Sequence, residues 1–89
     1  MRSIQRTSQF KRDVKRMQKR GKAFAEFKQV IVELSAGMAL EPRYRDHDLS
    51  GRYRGARECH IEPDWLLIYE LTKDEIILIR TGTHSDLFE

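Results

Sequence analysis

The sequence contains only one cysteine, Cys59, among its 89 residues. One cysteine can neither close an intramolecular disulfide nor build a multi-cysteine zinc motif, so a reducing compartment suits the chain. Long apolar runs are absent as well, since no segment approaches the roughly 18 residues of a membrane span. The basic N-terminus is not followed by the apolar core of a signal peptide. These absences predict a cytoplasmic protein with no membrane partner.

Hydrophobic residues make up 39% of the chain, which is enough for one modest core. We therefore expect a single domain over residues 1–89. Charge is uneven: residues 1–28 carry ten Lys or Arg against two acids, and residues 58–89 carry two against eight. Five arginines between residues 43 and 57 form a second basic stretch. Such stretches can neutralise phosphates, so nucleic acid is a candidate partner; the alternative is a solvated surface that pairs with itself.

The N-terminal half has the pattern of a strand followed by two helices. Residues 2–7 suit a short strand, and Thr7 or Ser8 can cap a helix that ends at Gly21. A second amphipathic segment ends near Gly37. The apolar positions at helical spacing are Phe10, Val14 and Met17 in the first segment, and Phe24, Phe27, Val30, Ile31 and Leu34 in the second. We expect a helical hairpin.

The C-terminal half has the pattern of strands. Turn formers fill residues 39–55, with room for a short strand near Tyr44. Residues 56–62 alternate, which places Cys59 on one face and His60 on the other. The segments "WLLIYEL" and "EIILIRTGT" predict a hairpin. The predicted fold is α+β: a short N-terminal strand and a two-helix hairpin packed on an antiparallel sheet of four to five strands, whose other face is largely open to a ligand.

Three histidines, His47, His60 and His84, fall in a loop, a strand and a strand end, where reactive groups usually collect. Imidazole titrates near neutrality, so two or three of them with a carboxylate suffice for general acid–base catalysis. On RNA the 2′-hydroxyl can be the nucleophile, and arginines can surround the phosphate. The alternative for each histidine is an ordinary surface residue. The arginines that suit the phosphate are Arg52, Arg54, Arg57 and Arg80.

Two other chemistries have less support. Cys59 and His60 project to opposite faces of a strand, so they cannot bind one zinc ion. A metal site built from His and Asp side chains stays open as an alternative, drawn from His47, His60, Asp64 and His84. Strand parity directs Cys59 toward the core, which disfavours a nucleophilic role for its thiol.

Two segments, "RDHDLSGRYRGARECHIEPDWLLIYEL" and "RTGTHSDLF", resemble the YafQ-type branch of the RelE/ParE superfamily of bacterial toxins. The resemblance covers about half of the chain, and the helices match more loosely. Tyr53 stands where relatives often have Trp, which affects packing alone. The resemblance implies a RelE-like fold and the toxin of a type II toxin–antitoxin pair. Its activity would be that of a ribosome-dependent endoribonuclease that cuts mRNA in the A site without a metal or other cofactor.

The resemblance also implies roles for individual residues. His84 would be one half of an acid–base pair and His60 or Asp64 the other, with His47 in the same site. Arg80 would support the site, and Phe88 would hold the substrate or the terminal segment. The basic first helix offers candidate ribosome contacts, namely Lys11, Lys15, Arg16, Lys19 and Arg20.

The implied partners are the ribosome, its mRNA and a cognate DNA-binding antitoxin of the DinJ/RelB-like kind. A second class remains open at this point. It is a non-catalytic toxin that poisons a target such as gyrase by docking, as the ParE branch does.

Overall fold

A computed structural model describes residues 1–88, which form one mixed sheet and three helices. The strands lie in the order β1-β5-β4-β3-β2. Short 3₁₀ turns occupy Pro42–Tyr44 and Gly51–Tyr53. In chain order the helices and strands are β1 (Ser3–Arg6), α1 (Ser8–Lys19), α2 (Ala25–Ser35), β2 (His47–Asp48), β3 (Arg57–Glu62), β4 (Trp65–Leu71), β5 (Glu75–Gly82) and α3 (His84–Phe88).

The predicted α+β class, N-terminal strand and helical hairpin are confirmed. β3, β4 and β5 form an antiparallel meander, whereas β1 pairs with β5 in parallel. The short strand predicted near Tyr44 lies instead at His47–Asp48, opposite β3. Tyr44 belongs to a 3₁₀ turn, which Pro42 favours because its fixed φ suits the first position of a turn. His47 therefore lies in a strand and not in the predicted loop.

α1 begins at a capping side chain, and α1 and α2 are each followed by a glycine. The Thr7 hydroxyl accepts a hydrogen bond of 3.0 Å from the Phe10 amide and caps α1. Gly21 and Gly37, each at φ +79°, follow α1 and α2 in the left-handed conformation that glycine adopts without strain. α1 lies against β5 and thereby reaches the strand that leads to His84.

Apolar side chains cover both faces of the sheet. The larger core lies between the helices and the sheet, where Phe27 stacks on Trp65 at 5.3 Å between ring centroids. A second core on the opposite face contains Ala56, Leu66, Ile68 and Leu87, with Leu49, Tyr53 and Ile79 packed against it.

The expectation that this second face is largely open was therefore wrong. The strand "WLLIYEL" is apolar at both parities, so it must be covered on both faces. The loop before β3 and the helix α3 supply that cover. The space for a ligand is left at one end of the sheet. Among the residues that the structure describes, no helix is long and apolar enough to cross a bilayer.

A buried carboxylate, Asp13, connects α1 to β5. Asp13 is 1% exposed and accepts hydrogen bonds from Arg80 Nε at 2.7 Å and from the Thr81 amide at 3.1 Å. Gln9 and Arg16 donate to the same carboxylate, each at 3.0 Å. Burial alone would raise the pKa of Asp13, but these donors outweigh burial and hold its pKa below the ordinary 3.8.

We predict that Asp13→Asn lowers the free energy of unfolding by about 3–5 kcal/mol at neutral pH, because Arg80 would be left buried without its counter-charge. Urea denaturation measures this loss, with Asp74→Asn in the exposed turn before β5 as the control. Because the folded pKa is depressed, the stabilisation is present above the ordinary pKa of 3.8 and is lost as the pH falls through the folded pKa. Equal stability of the two variants would contradict this role.

Candidate active site

The three histidines and Asp64 meet at one end of the sheet. The ring centroids of His47 and His60 are 6.2 Å apart, and those of His60 and His84 are 5.7 Å apart. Sheet register explains the meeting: His60 pairs with Leu66 on β4, and Leu66 pairs with Gly82 on β5, two residues before His84. β2 pairs with the edge of β3 opposite β4 and carries His47. Side chains from distant segments thus face one small space.

Asp64 orients His84. One oxygen, Oδ1, accepts hydrogen bonds from the His84 amide at 2.9 Å and from the His84 Nδ1 at 2.6 Å. These bonds, led by the amide, lower the pKa of Asp64. Because Nδ1 donates to the carboxylate, Nε2 of His84 remains available to a substrate. The His84 side chain is 54% exposed, so that nitrogen is accessible.

His60 occupies a different environment. Its ring is half-buried on β3, and its Nδ1 is buried without a hydrogen-bond partner. Burial lowers the pKa of His60, and the charges of His84, Arg45 and His47 act in the same direction, while the charge of Glu58 opposes them. A neutral imidazole at pH 7 can accept a proton. His60 is therefore suited to the role of a general base.

His47 has both ring nitrogens engaged. Its Nδ1 donates to the Arg45 carbonyl oxygen at 2.6 Å, and its Nε2 lies 3.2 Å from Glu58 Oε2. Arg45 adopts φ +49°, a left-handed conformation that turns its carbonyl toward the ring. Sequence reasoning did not single out Arg45 or Glu58 as parts of the site.

Arg57 holds the segment that carries His47. Its guanidinium pairs with Asp46 at 3.3 Å and with Asp48, the two residues that flank His47. The hydroxyl of Tyr69 also donates to Asp46, and burial raises the pKa of Tyr69. Arg57 is thus engaged in fixing β2. The signal in the sequence is the pair of aspartates on either side of His47.

Arg80 lies beside the second core. It is bound to Asp13, and its Nη1 is 3.5 Å from the Tyr53 hydroxyl. Tyr53 in turn meets Phe88 edge to face, with ring centroids 5.8 Å apart. Phe88 is 45% exposed and lies one helical turn beyond His84. Arg52 and Arg54 are exposed in and just after the 3₁₀ turn at Gly51–Tyr53, and the Arg52 guanidinium lies over the Tyr53 ring.

A cleft of about 370 Å³ adjoins His60. Side chains of both charges line it, and it lies between the 3₁₀ turn and the end of β3. Its volume is in the range of small-ligand sites. The residues that line it together with His60 are Glu26, Arg43, Tyr44, Arg45, Ile61, Glu62 and Pro63.

The five basic residues predicted as ribosome contacts divide into two groups. Arg16 and Arg20 pair with acidic residues of the same molecule: Arg16 lies 3.0 Å from Asp13, and Arg20 lies 2.6 Å from Asp86. Three lysines at intervals of four residues are exposed along one ridge of the helix. They are Lys11, Lys15 and Lys19.

Within residues 1–88, no three His, Cys, Asp or Glu side chains are arranged to hold a metal ion. The alternative metal site of histidines and Asp64 has no support in this geometry. Cys59 is fully buried, and burial raises the pKa of its thiol, so the predicted core position of Cys59 is confirmed.

Two helices on one face of the sheet, with imidazoles and a carboxylate gathered at its end, place the chain in the fold class of the YafQ toxins, whose solved structures match it. The family described as "Bacterial toxin of type II toxin-antitoxin system, YafQ" matches residues 2–89. The chain belongs to this YafQ family of type II toxins, as its sequence motifs predicted.

Known relatives share the whole of the fold. The mRNA interferase toxin YafQ of Escherichia coli K12 is 42% identical over 88 residues, which are 98% of this chain and 96% of that protein. A chain in the crystal structure of the E. coli DinJ-YafQ toxin-antitoxin complex matches with a TM-score of 0.91 and 42% identity, covering 99% of this chain and 98% of that one. A metal-bound toxin from Helicobacter pylori matches with a TM-score of 0.93 and 37% identity, covering 99% and 100%.

We predict that His60 titrates below the ordinary imidazole pKa of 6.5 in the folded protein, because burial disfavours its charged form. An NMR pH titration of the ring Cε1–H signals measures this, and the signal that disappears in His60→Gln assigns it. The same titration in concentrated urea provides the reference. A folded midpoint at or above the urea value would contradict the prediction.

Proposed function

We propose that this chain is a ribosome-dependent endoribonuclease that cleaves mRNA in the A site. The supporting observation is the meeting of three imidazoles and Asp64 at one sheet end, with centroid separations of 6.2 and 5.7 Å. From such positions, two ring nitrogens on opposite sides of a phosphodiester can each come within hydrogen-bonding distance of a proton that is transferred. Its E. coli relative carries the name mRNA interferase, which agrees with this activity.

His60 and His84 divide the proton transfers. The neutral His60 takes the proton of the 2′-hydroxyl, whose oxygen forms a bond to phosphorus. The bond from phosphorus to the 5′-oxygen breaks, and His84, oriented by Asp64, gives its proton to that leaving oxygen. The products are a 2′,3′-cyclic phosphate and a 5′-hydroxyl. In this proposal the imidazoles move the protons, and no metal ion takes part.

The surrounding side chains hold the RNA. Arg80 on β5 remains charged, because its hydrogen bond to Asp13 raises its pKa. It supplies positive potential near the phosphate, together with Arg52 and Arg54. The exposed ring of Phe88 offers a face on which a base can stack.

We predict that His60→Ala and His84→Ala each lower the single-turnover cleavage rate on programmed ribosomes by about 10²–10⁴-fold, because each removes one proton transfer. Both side chains are at least partly exposed, so the unfolding midpoint should change little. Lys73→Ala, in the turn before β5, is the matched control.

A message with one 2′-deoxy nucleotide at the cleavage position tests the nucleophile, because the proposed step cannot start without that hydroxyl. Cleavage of the deoxy message, or full activity of both alanine variants, would refute the acid–base scheme. A toxin that acts by docking would leave every message whole.

The proposal extends to partners. A YafQ toxin is found with DinJ in the E. coli complex, so we infer that a cognate DNA-binding antitoxin of the DinJ/RelB-like kind restrains this chain. Action on translating ribosomes implies that it works in the cytoplasm. The exposed lysine ridge of α1 suits the phosphates of ribosomal RNA, whereas Arg16 and Arg20 are engaged within the molecule.

We predict that reversing the charge of the lysine ridge (Lys11→Glu, Lys15→Glu and Lys19→Glu together) weakens binding to empty ribosomes. Binding releases fewer counterions when phosphate contacts are lost. The slope of log affinity against log salt should therefore become less steep by roughly 2–3. Filter binding at several salt concentrations measures the slope, and Lys73→Glu is the control. An unchanged slope would place the ribosome contact elsewhere.

A further inference from the structure

Glu58 is a buried acid within the candidate site. It lies on β3, on the same face as His60, and pairs across the strands with His47 on β2. The residue is 5% exposed. Its Oε2 lies 3.2 Å from His47 Nε2, and its Oε1 is buried with no hydrogen-bond partner in the protein.

Such a carboxylate does not stabilise the fold. A buried charge with one unpaired oxygen loses hydration that it does not recover. The same face of the sheet holds Ala56, Leu66 and Ile68, so an apolar side chain would suit this environment. Residues that break the packing rules in this way are concentrated at functional sites.

Glu58 and the Arg45 carbonyl hold His47 between them. Nδ1 of His47 donates to the Arg45 carbonyl oxygen at 2.6 Å. Nε2 lies 3.2 Å from Glu58 Oε2, so this nitrogen is turned toward the carboxylate. Both ring nitrogens of His47 are thus directed at protein groups.

The charges that act on His60 come from several elements. Glu58 lies on its own strand, and β2 contributes His47. Arg45 follows the 3₁₀ turn, and His84 begins α3. On β4 the paired residues are apolar, and Asp48 is paired with Arg57. Among these charged groups, Glu58 opposes the lowering of the His60 pKa, to which Arg45, His84 and His47 contribute.

We propose that Glu58 is a positioning residue: it holds His47 through the contact between its Oε2 and His47 Nε2, and from the same face of β3 it stabilises the imidazolium that His60 becomes after it takes the 2′-hydroxyl proton. This inference rests on the proposed nuclease activity and adds an electrostatic partner for its base. Glu58 touches neither the RNA nor the leaving group. Its effect is largest in the transition state, when the positive charge forms on His60.

The test compares Glu58→Gln, which removes the charge at nearly constant shape, with Glu58→Asp, which keeps it. In Glu58→Gln we expect a rate at saturating ribosomes about tenfold lower. The acid limb of its pH–rate profile should shift to lower pH by about one unit, because His60 loses the nearby charge that favours its protonation. Ribosome affinity should stay unchanged, and the unfolding midpoint should be unchanged or higher. Glu58→Asp should retain the wild-type acid limb.

Glu70→Gln, an exposed acid on β4, is the matched control. The His60 signal in an NMR titration of Glu58→Gln gives a second readout that needs no ribosome, and it should move down by the same amount. A wild-type rate and an unmoved His60 midpoint would overturn the positioning role. Loss of both activity and folded structure in Glu58→Gln and Glu58→Asp would also overturn the positioning role, because that pattern is typical of a structural residue. If the wild-type protein leaves messages intact but the His60 midpoint still moves in Glu58→Gln, the nuclease proposal fails and the charge coupling between Glu58 and His60 stands.

Discussion

The structure depends on one buried carboxylate. Asp13 on α1 receives donors from Arg80 and Thr81 on β5, so the helix and the strand that leads to His84 have one relative position. A charge enclosed in this way is stable only when its donors are complete, and the five hydrogen bonds to Asp13 meet that condition. Trp65 strengthens the same corner by donating from its indole nitrogen to the Thr81 hydroxyl. The end of the sheet that leads to His84 is therefore fixed by this corner.

The polar groups of the site follow a different rule from those of the scaffold. Both carboxylate oxygens of Asp13 accept hydrogen bonds, whereas Glu58 and His60 each keep a buried atom without a partner. An unmatched group remains responsive to a new charge nearby, because no fixed dipole has already compensated it. The Asp13 hydrogen bonds hold α1 against β5, and the unpaired atoms of Glu58 and His60 lie where the proposed proton transfer takes place. The fold tolerates the unpaired polar atoms because apolar cores cover both faces of β4.

Much of this arrangement could be predicted from the sequence, since the helices follow from apolar spacing and glycine stops, and the strand parity of Cys59 and His60 follows from alternation. The motifs that carry His47, His60, Asp64 and His84 identified the residues that meet. The sequence could not reveal Asp13, because its partner Arg80 is 67 positions away and an acid in a basic helix looks like an ordinary surface charge. The second core was missed because α3 and the loop before β3 show no sustained period. Alternation placed His60 on the face opposite Cys59, but it gives the side of a strand and not the cover over it, so it did not reveal that Glu58 on that face is buried.

The ion pair between Arg20 and Asp86 links residues 66 positions apart, one at the end of the first helix and the other inside the last. On a translating ribosome, the chain is made from its N-terminus, so the helix is finished long before its partner exists. A nascent polypeptide that stops before β5 lacks Arg80, Asp86 and His84 together. Such a fragment has neither the Asp13 corner nor His84, both of which the proposed cleavage requires.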